Sequence, residues 1–446
     1  MRKYIIAILS IMLLTTACKK KVDAVFDQSP DERLAAVINA FQDKLVKQTD
    51  GWKVLVKPLT PGSYPFYMKF TNTNRVTMLS DISDSAAGVP RESSYRVKAL
   101  QQPTIIFDTY NYLHVLMDPT PAINGADYGV GLVSDIEYYL PTPLIQALQG
   151  TKPDTITTMA LKGRYNGADI LFTKASPAEA TSYNNGDLRK LRIAVNNYSA
   201  TNLHRLYMDF GDGVKVLVTI DLANRTVSFF WIKNGTAFSF TSTFYFTLDG
   251  LQLGNAFNYN GTTIITKILW DNIKLTGTGT GAAVPIQISA TDVYPLHVLI
   301  GTTITGINLP AVTSFPGWSD DFKARRASVA ASLLAGPYGL TLDQMDFSTI
   351  TPNRDTLNVV VFQGPNGFLA QFYYTYTKTP AGVFKFTMTG TDFNAGLITG
   401  DMAPLLGQRI NVDNFTVDYY NDPVEGQLVR FTSVQHPDFA FTGRPR

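Results

Sequence analysis

The fold of this chain is best predicted from residues 66–79, which read Phe66-Tyr67-Met68-Lys69-Phe70-Thr71-Asn72-Thr73-Asn74-Arg75-Val76-Thr77-Met78-Leu79. Two runs rich in aromatic and β-branched residues flank a short polar turn, and this arrangement is typical of an antiparallel β-hairpin. A similar pattern follows at residues 206–220, where a Gly-Asp-Gly turn separates the two runs. The chain is therefore expected to consist mainly of antiparallel strands.

Short strand patterns recur in the sequence at a constant offset. Tyr-Met-x-Phe begins at Tyr67 and again at Tyr207, an offset of 140 residues (207 minus 67). Phe-x-Phe-Thr-(Leu/Met)-x-Gly begins at Phe244 and again at Phe384, also 140 residues apart (384 minus 244). A shared offset predicts tandem modules. The alternative is that short strand patterns recur by chance in a β-rich chain.

Helix signals stand at intervals between the strand patterns. Ser29-Pro30-Asp31-Glu32 combines an N-cap, a proline for the first turn and a capping box, and it predicts a helix that ends near Gly51. Further helices are expected over 140–150, over Asp187–Tyr198 and over Ser319–Gly336. The glycine-threonine stretch Thr276–Ala283 is expected to be a loop.

These patterns together predict a fold that is mainly β with a few helices (α+β). The expected architecture is a series of tandem helix-plus-antiparallel-sheet modules, each a sandwich or a small barrel. We place a helix-plus-β module at residues 18–175, a β module at 176–316 and a second helix-plus-β module at 317–446, after a signal peptide at 1–17.

The N-terminus predicts export and a lipid anchor. Arg2 and Lys3 precede a short apolar run, and Leu14-Thr15-Thr16-Ala17 directly precedes Cys18, the one cysteine in 446 residues. A charged start, a short apolar stretch and small residues before a cleavage site are typical of a signal peptide. The stretch resembles a bacterial lipobox, so Cys18 is expected to be acylated and to attach the chain to the lipid bilayer. The alternatives are an ordinary secretory signal and an uncleaved anchor.

Composition argues against several classes of function. The chain has 38 basic and 36 acidic residues, and this balance argues against nucleic-acid binding. Its four histidines are far apart in the sequence, and no metal-ligand spacing occurs. We therefore predict no metal site and no cofactor, with a zinc or calcium site assembled from distant loops as the alternative, and we assign no catalytic residue. Two carboxylate groupings, Asp135 with Glu137 and Asp271 beside Trp270, remain candidates for a glycosidase pair.

Aromatic residues are the strongest indication of a binding surface, since the chain has 4 Trp, 22 Tyr and 27 Phe. Side chains alternate between the two faces of a strand, so neighbouring aromatic residues cannot both enter one core. We predict that ligand contact involves rings on outward faces, with Trp231, Trp318 and Tyr374 as the candidates. The alternative is that the second face of each sheet packs against a helix or a neighbouring module.

Five stretches in the first quarter of the chain share the pattern of a known family: Val25–Leu34, Gly51-Trp52, Met68-Lys69-Phe70, Val76-Thr77-Met78 and Ile106–His114. Over residues 18–116 the chain resembles the Bacteroidota lipoprotein family called domain of unknown function 4302. The resemblance implies an envelope lipoprotein, often encoded near SusC/SusD-like nutrient importers, and it implies no catalytic residue.

The sequence thus favours a non-enzymatic outer-membrane or cell-surface lipoprotein that binds a ligand or partner in the capture of a glycan or peptide nutrient. SusC/SusD-like importer proteins are the expected partners, and the periplasmic face and the cell surface both stay open. One alternative is an envelope hydrolase that acts on glycan or peptide. Another is a structural envelope lipoprotein.

Overall fold

The computed structural model describes residues 29–126, 129–150, 153–351 and 353–445. Cys18 and the predicted signal peptide lie outside the described residues. The chain divides into two compact units. The first contains the described residues up to Thr60 together with Pro65–Ile82 and Val89–Thr181, and the second contains Pro61–Tyr64, Ser83–Gly88 and the residues from Ser182 onwards.

The strands of the described residues form three closed antiparallel barrels of eight strands each. The first barrel comprises β1 (Trp52–Lys57), β2 (Tyr64–Phe70), β3 (Arg75–Ser80), β4 (Arg91–Ala99), β5 (Pro103–Phe107), β6 (Glu137–Tyr139), β7 (Thr158–Gly163) and β8 (Asp169–Lys174). The second comprises β9 (Leu206–Asp209), β10 (Lys215–Asp221), β11 (Thr226–Lys233), β12 (Thr236–Thr247), β13 (Gly250–Asn258), β14 (Ile264–Trp270), β15 (Leu275–Thr280) and β16 (Val284–Ile288). The third comprises β17 (Gly306–Leu309), β18 (Thr341–Thr351), β19 (Arg354–Gln363), β20 (Asn366–Lys378), β21 (Val383–Thr391), β22 (Asn414–Asp422), β23 (Gly426–Ser433) and β24 (Ala440–Pro445).

Along the sequence, one helix precedes the first barrel and the others stand in the connections between strands. The α-helices are α1 (Pro30–Lys47), α2 (Asp84–Gly88), α3 (Tyr112–Val115), α4 (Pro121–Asn124), α5 (Thr142–Gln149), α6 (Pro177–Asn184), α7 (Asp187–Thr201), α8 (Leu296–Leu299), α9 (Asp320–Ala335) and α10 (Phe393–Ile398). A 3₁₀ turn spans Pro153–Thr155 and a π-helical turn spans Leu406–Ile410. The predicted fold class is confirmed: the chain is mainly β with helices, and each sheet is a barrel rather than a sandwich.

The first predicted helix begins at the expected capping box. The Ser29 hydroxyl accepts a hydrogen bond from the Glu32 N–H at 3.2 Å, and the Glu32 carboxylate accepts one from the Ser29 N–H at 2.8 Å. The apolar side of α1 buries Val37, Phe41 and Leu45. The pairing of cap and apolar stripe in the sequence is therefore sufficient to predict this helix.

One recurrence in the sequence does not mark equivalent positions. Tyr67 lies in the second strand of its barrel, whereas Tyr207 lies in the first strand of the next. Phe244 and Phe384, in contrast, both lie in the fourth strand after a long helix, on β12 after α7 and on β21 after α9. The predicted module boundaries stay a prediction. The strand β17 lies before the boundary placed at residue 316, whereas its two partners, β18 and β24, lie after it.

The stretch Thr276–Ala283 is not the predicted loop, because β15 occupies most of it. A Cβ atom on Gly277 would lie 2.5 Å from the Met208 Cε, and one on Gly279 would lie 2.1 Å from the Ile264 backbone oxygen. Gly279 is therefore required for close packing against a neighbouring backbone, whereas Gly277 packs against the flexible end of the Met208 side chain. Glycine is also a common loop residue, and the sequence alone does not separate the two uses.

The interior of the third barrel contains a buried acid. Asp355 on β19 pairs with Tyr374 on β20 and is 5% exposed, and one of its carboxylate oxygens, Oδ1, has no hydrogen-bond partner among the described residues. Burial raises the pKa of Asp355 to about 7, against the opposing effect of backbone hydrogen bonds from Thr356 and Ser348. Asp355 is consequently expected to retain its proton in the folded chain up to near-neutral pH.

This burial predicts a pH-dependent stability. Unfolded aspartate releases its proton near pH 4 while folded Asp355 keeps it to about pH 7, so the free energy of unfolding should fall as pH rises between these values. The substitution Asp355→Asn introduces an amide that is neutral at every pH, so it should remove this decline. The change in unfolding free energy that it causes should be more favourable at pH 8 than at pH 4 by on the order of 3–4 kcal/mol. Urea unfolding at a series of pH values measures it.

The matched control is Asp438→Asn, which changes an exposed aspartate. It should leave the pH profile of the unfolding free energy as it is in the unsubstituted chain. Parallel profiles for Asp355→Asn and the unsubstituted chain between pH 4 and 8 would contradict the assignment of a buried neutral acid.

Candidate functional site

Two of the three predicted aromatic contacts lie in the core of the third barrel. Trp318 is 5% exposed and its indole Nε1 donates to the Thr442 backbone oxygen at 2.9 Å. Tyr374 is 2% exposed and its hydroxyl donates to Asn411 Oδ1 at 2.8 Å. The expectation that these two rings lie on an outward face is wrong, because both rings fill the apolar interior and bury their one polar atom against a partner.

The third predicted ring, Trp231, is half-buried on β11. It lies on the same face of the strand as Phe229, which is fully buried inside the second barrel, so Trp231 faces inward rather than outward. Its cross-strand partner is Phe238, and the two rings stack with centroids 5.4 Å apart and planes 13° apart. Phe238 is 43% exposed. Trp231 therefore lies near the end of the strand, where the barrel interior opens to solvent.

Further rings and a polar group surround this opening, which we name the aromatic mouth (Phe210, Trp231, Phe238 and Tyr259). The Phe210 and Tyr259 rings stack at 4.2 Å, and Tyr259 meets Trp231 edge-on at 5.7 Å. The Tyr259 hydroxyl and the Lys233 ammonium each donate to Asp212 Oδ2 at 2.8 Å. The Lys233 hydrogen bond is the main reason that the pKa of Asp212 falls to about 2. Flat rings beside a charged pair can contact a sugar ring.

A separate concavity lies within the second unit, where segments of the second and third barrels meet. We name it the interbarrel cleft. Its volume is about 480 Å³, and its lining residues are Ala200, Thr201, Leu203, Arg205, Ala290, Thr291, Asp292, Asn421, Asp422, Gly426 and Gln427. A cavity of about 260 Å³ adjoins it, shares Thr291 and Asp292, and is lined also by His297 and Tyr419. The cleft is built from the segment before β9, the β16–α8 connection and the β22–β23 hairpin.

The cleft presents hydrogen-bond acceptors that have no partner within the described residues. The half-buried Asp292 carboxylate makes no hydrogen bond or ion pair there. Burial raises the pKa of Asp292, and the charge of Arg205 opposes that rise. The Arg205 guanidinium donates to the backbone oxygens of Ser289 at 2.9 Å and Ala290 at 3.1 Å. Gln427 Oε1 is buried without a partner. Asp292 and Gln427 thus each contribute a side-chain oxygen without a partner among the described residues.

Two further polar groups beside the cleft also lack partners. His204 is 5% exposed, and its Nδ1 makes no hydrogen bond among the described residues. Burial lowers the pKa of His204 to about 4, so the imidazole is neutral at pH 7. Its ring lies 5.1 Å from the ring of Tyr419, whose buried hydroxyl likewise has no partner in the described part of the chain. Burial raises the pKa of that Tyr419 hydroxyl.

The carboxylates that the sequence offered as a glycosidase pair hold turns. Asp135 is fully buried and accepts three backbone N–H bonds, from Tyr165, Asn166 and Ala168, at 2.9–3.0 Å. Glu137 forms an ion pair with Arg164 at 2.8 Å. Asp271 accepts N–H bonds from two residues of its own turn, Ile273 and Lys274. Asp135 stabilises the β7–β8 hairpin, and nothing brings Asp135 and Glu137 to face a shared cavity among those described.

The described residues contain neither a cluster of metal-ligating side chains nor a helix suited to spanning a membrane. No group of three or more His, Cys, Asp or Glu side chains within them is arranged to hold a metal ion. None of the helices in that part of the chain combines the length and the apolar character that spanning a membrane requires.

Comparison with known proteins identifies the family. The model of the domain of unknown function (DUF4302) matches residues 22–272, more than half of the chain. The chain belongs to this family. No curated protein shows significant similarity to the sequence.

Solved structures give only distant matches. A protein assigned as a DNA polymerase III β subunit from Eubacterium rectale is 6% identical over 92% of this chain and 98% of its own, with a TM-score of 0.14. The corresponding β subunit from Pseudomonas aeruginosa is 8% identical over 93% of this chain and 98% of its own, with a TM-score of 0.13. Scores this low establish neither a shared fold nor a shared function.

The burial of the predicted rings gives a test of stability. Trp318→Ala should lower the free energy of unfolding by about 3–5 kcal/mol, because it leaves a cavity and removes the partner of the Thr442 oxygen. Trp231→Ala, at the open end of the second barrel, should lower it by only about 1 kcal/mol, since surrounding solvent fills the space. Urea unfolding of both variants compares the two costs. Equal costs would contradict the different environments assigned to the two rings.

Proposed function

We propose that this protein is a lipid-anchored envelope protein that binds a polar ligand, a glycan or a peptide, in the interbarrel cleft during nutrient capture. The single observation that carries the proposal is a cleft of about 480 Å³ with an unpartnered carboxylate, Asp292, and a buried unpartnered oxygen, Gln427 Oε1. SusC/SusD-like importer proteins are the proposed partners. This partnership follows from the family resemblance.

The size and the chemistry of the cleft suit such a ligand. Ligand sites in proteins commonly measure about 300–1,000 Å³, so the cleft can take a mono- or disaccharide or a short peptide. A partly buried acceptor without a partner, such as the Asp292 carboxylate, costs free energy, and a ligand hydroxyl or amine that donates to it recovers that cost. Sugars and peptides both carry several such donors. The aromatic mouth, with Trp231, is a second surface where a longer glycan can stack.

One observation favours a hydrolase as the alternative. Burial raises the pKa of the Asp292 carboxyl, and a raised pKa is the property that a general acid needs. Hydrolysis of a glycan also requires a second carboxylate at a suitable distance. A binding protein releases its ligand intact, whereas a hydrolase releases cleaved products. Mass spectrometry of the recovered ligand therefore distinguishes binding from catalysis.

Asp292→Asn tests the cleft. A glycan and peptide array first identifies the ligand, and titration calorimetry then compares the variants. The amide keeps the size of the side chain and one acceptor oxygen but removes the charge, so affinity should fall about tenfold, because a hydrogen bond to a neutral acceptor is weaker than one to a carboxylate. Asp438→Asn, an exposed aspartate outside the cleft lining, is the control and should bind like the unsubstituted chain. Unchanged affinity in Asp292→Asn would exclude the cleft as the binding site.

Cys18→Ala tests the anchor. The unsubstituted chain should incorporate a palmitate analogue and sediment with membranes, because Cys18 supplies the thiol that acylation requires. Cys18→Ala should incorporate none and remain in the supernatant. Labelling of the Cys18→Ala chain would exclude this anchor.

Protease treatment of intact cells decides between the periplasmic face and the cell surface, since a surface protein is digested without lysis.

A further inference from the structure

The third barrel contains an apolar cavity that the proposed function does not use. Its volume is about 230 Å³, and it lies between the segment before β18, the strands β19 and β20, and the short helix α10. The lining residues are Tyr338, Leu340, Val361, Gln363, Phe368, Ala370, Asn394, Leu397 and Ile398. None of these residues lines the interbarrel cleft.

The cavity has a buried floor and an exposed rim. Val361, Ala370 and Ile398 are at most 3% exposed and form the floor. Tyr338 and Leu397 on the rim are 44% and 45% exposed. An apolar rim of this kind leaves the floor accessible from solvent. It also exposes apolar surface that a bound apolar molecule would cover.

Beside the Tyr338 hydroxyl, the polar groups of the lining are two side-chain amides, and each amide nitrogen already donates one hydrogen bond. Gln363 Nε2 donates to the Tyr338 backbone oxygen at 2.9 Å, and Asn394 Nδ2 donates to the Leu369 backbone oxygen at 2.8 Å. No hydrogen bond reaches the side-chain oxygen of either amide from the described residues. These two oxygens can accept one or two hydrogen bonds from a ligand, whereas no side-chain charge lines the cavity.

Size and lining together define a class of ligand. An apolar cavity of about 150 Å³ is known to bind benzene, and this cavity is larger by roughly the volume of a second small ring. We propose that it binds a neutral two-ring aromatic molecule that carries one hydrogen-bond donor. The rings would fill the space above Ala370, and the donor would reach Gln363 or Asn394. This inference does not depend on the ligand of the interbarrel cleft.

Indole is the probe, because it has two fused rings and one N–H. Titration calorimetry uses the full chain with Cys18→Ala, which keeps every described residue and avoids detergent that would compete for an apolar cavity. The chain should bind indole saturably at one site. It should bind 1-methylindole, which lacks the donor, several-fold more weakly. Absence of saturable indole binding would overturn the proposal, and so would equal affinity for the two probes.

Variants locate the site. Ala370→Leu fills the floor and should abolish indole binding, and Leu397→Gln on the exposed rim should weaken it at least fivefold without affecting the fold. The control is Leu334→Gln, since Leu334 is 63% exposed and lies outside the lining. Indole affinity unchanged in both lining variants would overturn the assignment to this cavity. Tighter binding of 1-octanol than of indole would overturn the aromatic class in favour of an acyl chain.

Discussion

The structure depends on the backbone hydrogen bonds that join the last strand of each sheet to the first. Trp52 pairs with Lys174 across β1 and β8, Met208 pairs with Ile286 across β9 and β16, and Ile307 pairs with Pro445 across β17 and β24. A closed sheet has no unpaired edge, so no strand of it offers a template for aggregation. An eight-stranded barrel is also just wide enough for side chains to fill. Phenylalanine and tyrosine rings supply that filling here together with Leu, Ile, Val and Met side chains.

Barrel closure also decides where ligands can bind. A filled interior leaves no room for a ligand along the axis, so binding is restricted to the ends of the barrels and to the junctions between neighbouring elements. The aromatic mouth and the apolar cavity beside Ala370 lie at ends, and the interbarrel cleft lies at a junction. The family gives no further guidance, because its members share a domain whose function is unknown.

The sequence was sufficient for local structure and insufficient for the faces of the strands. The capping box at Ser29 and the acidic start of α9 predicted helices, because caps act within a few residues. Alternation along β20 predicted two faces but did not say which one lies inside, so Tyr374 was expected on the wrong face. The same limit applies to Gly277 and Gly279. Their role as close-packing residues depends on Met208 and Ile264, which lie elsewhere in the sequence.

The interbarrel cleft could not be predicted from the sequence, for a related reason. Arg205 and Asp292 belong to two connections and Gln427 to the start of β23, far apart in the sequence, and each looks like an ordinary surface residue in its own segment. No spacing rule brings them together, since their proximity follows from the way that the second and third barrels fold within one unit. Asp135 shows the converse. Its position near two tyrosines indicates a catalytic carboxylate, whereas in the structure that carboxylate accepts hydrogen bonds from three backbone N–H groups.

Two carboxylates show how a structural polar group differs from a candidate functional one. Asp355 and Asp292 each have a raised pKa, and burial is the main cause in both. Asp355 is sealed inside the third barrel at 5% exposure, so no ligand can reach it and its burial costs only stability. Asp292 is half-buried in the wall of an open cleft. A ligand that donates a hydrogen bond can reach Asp292 and lower the cost of its partial burial, which makes accessibility, rather than the pKa, the property that separates the two.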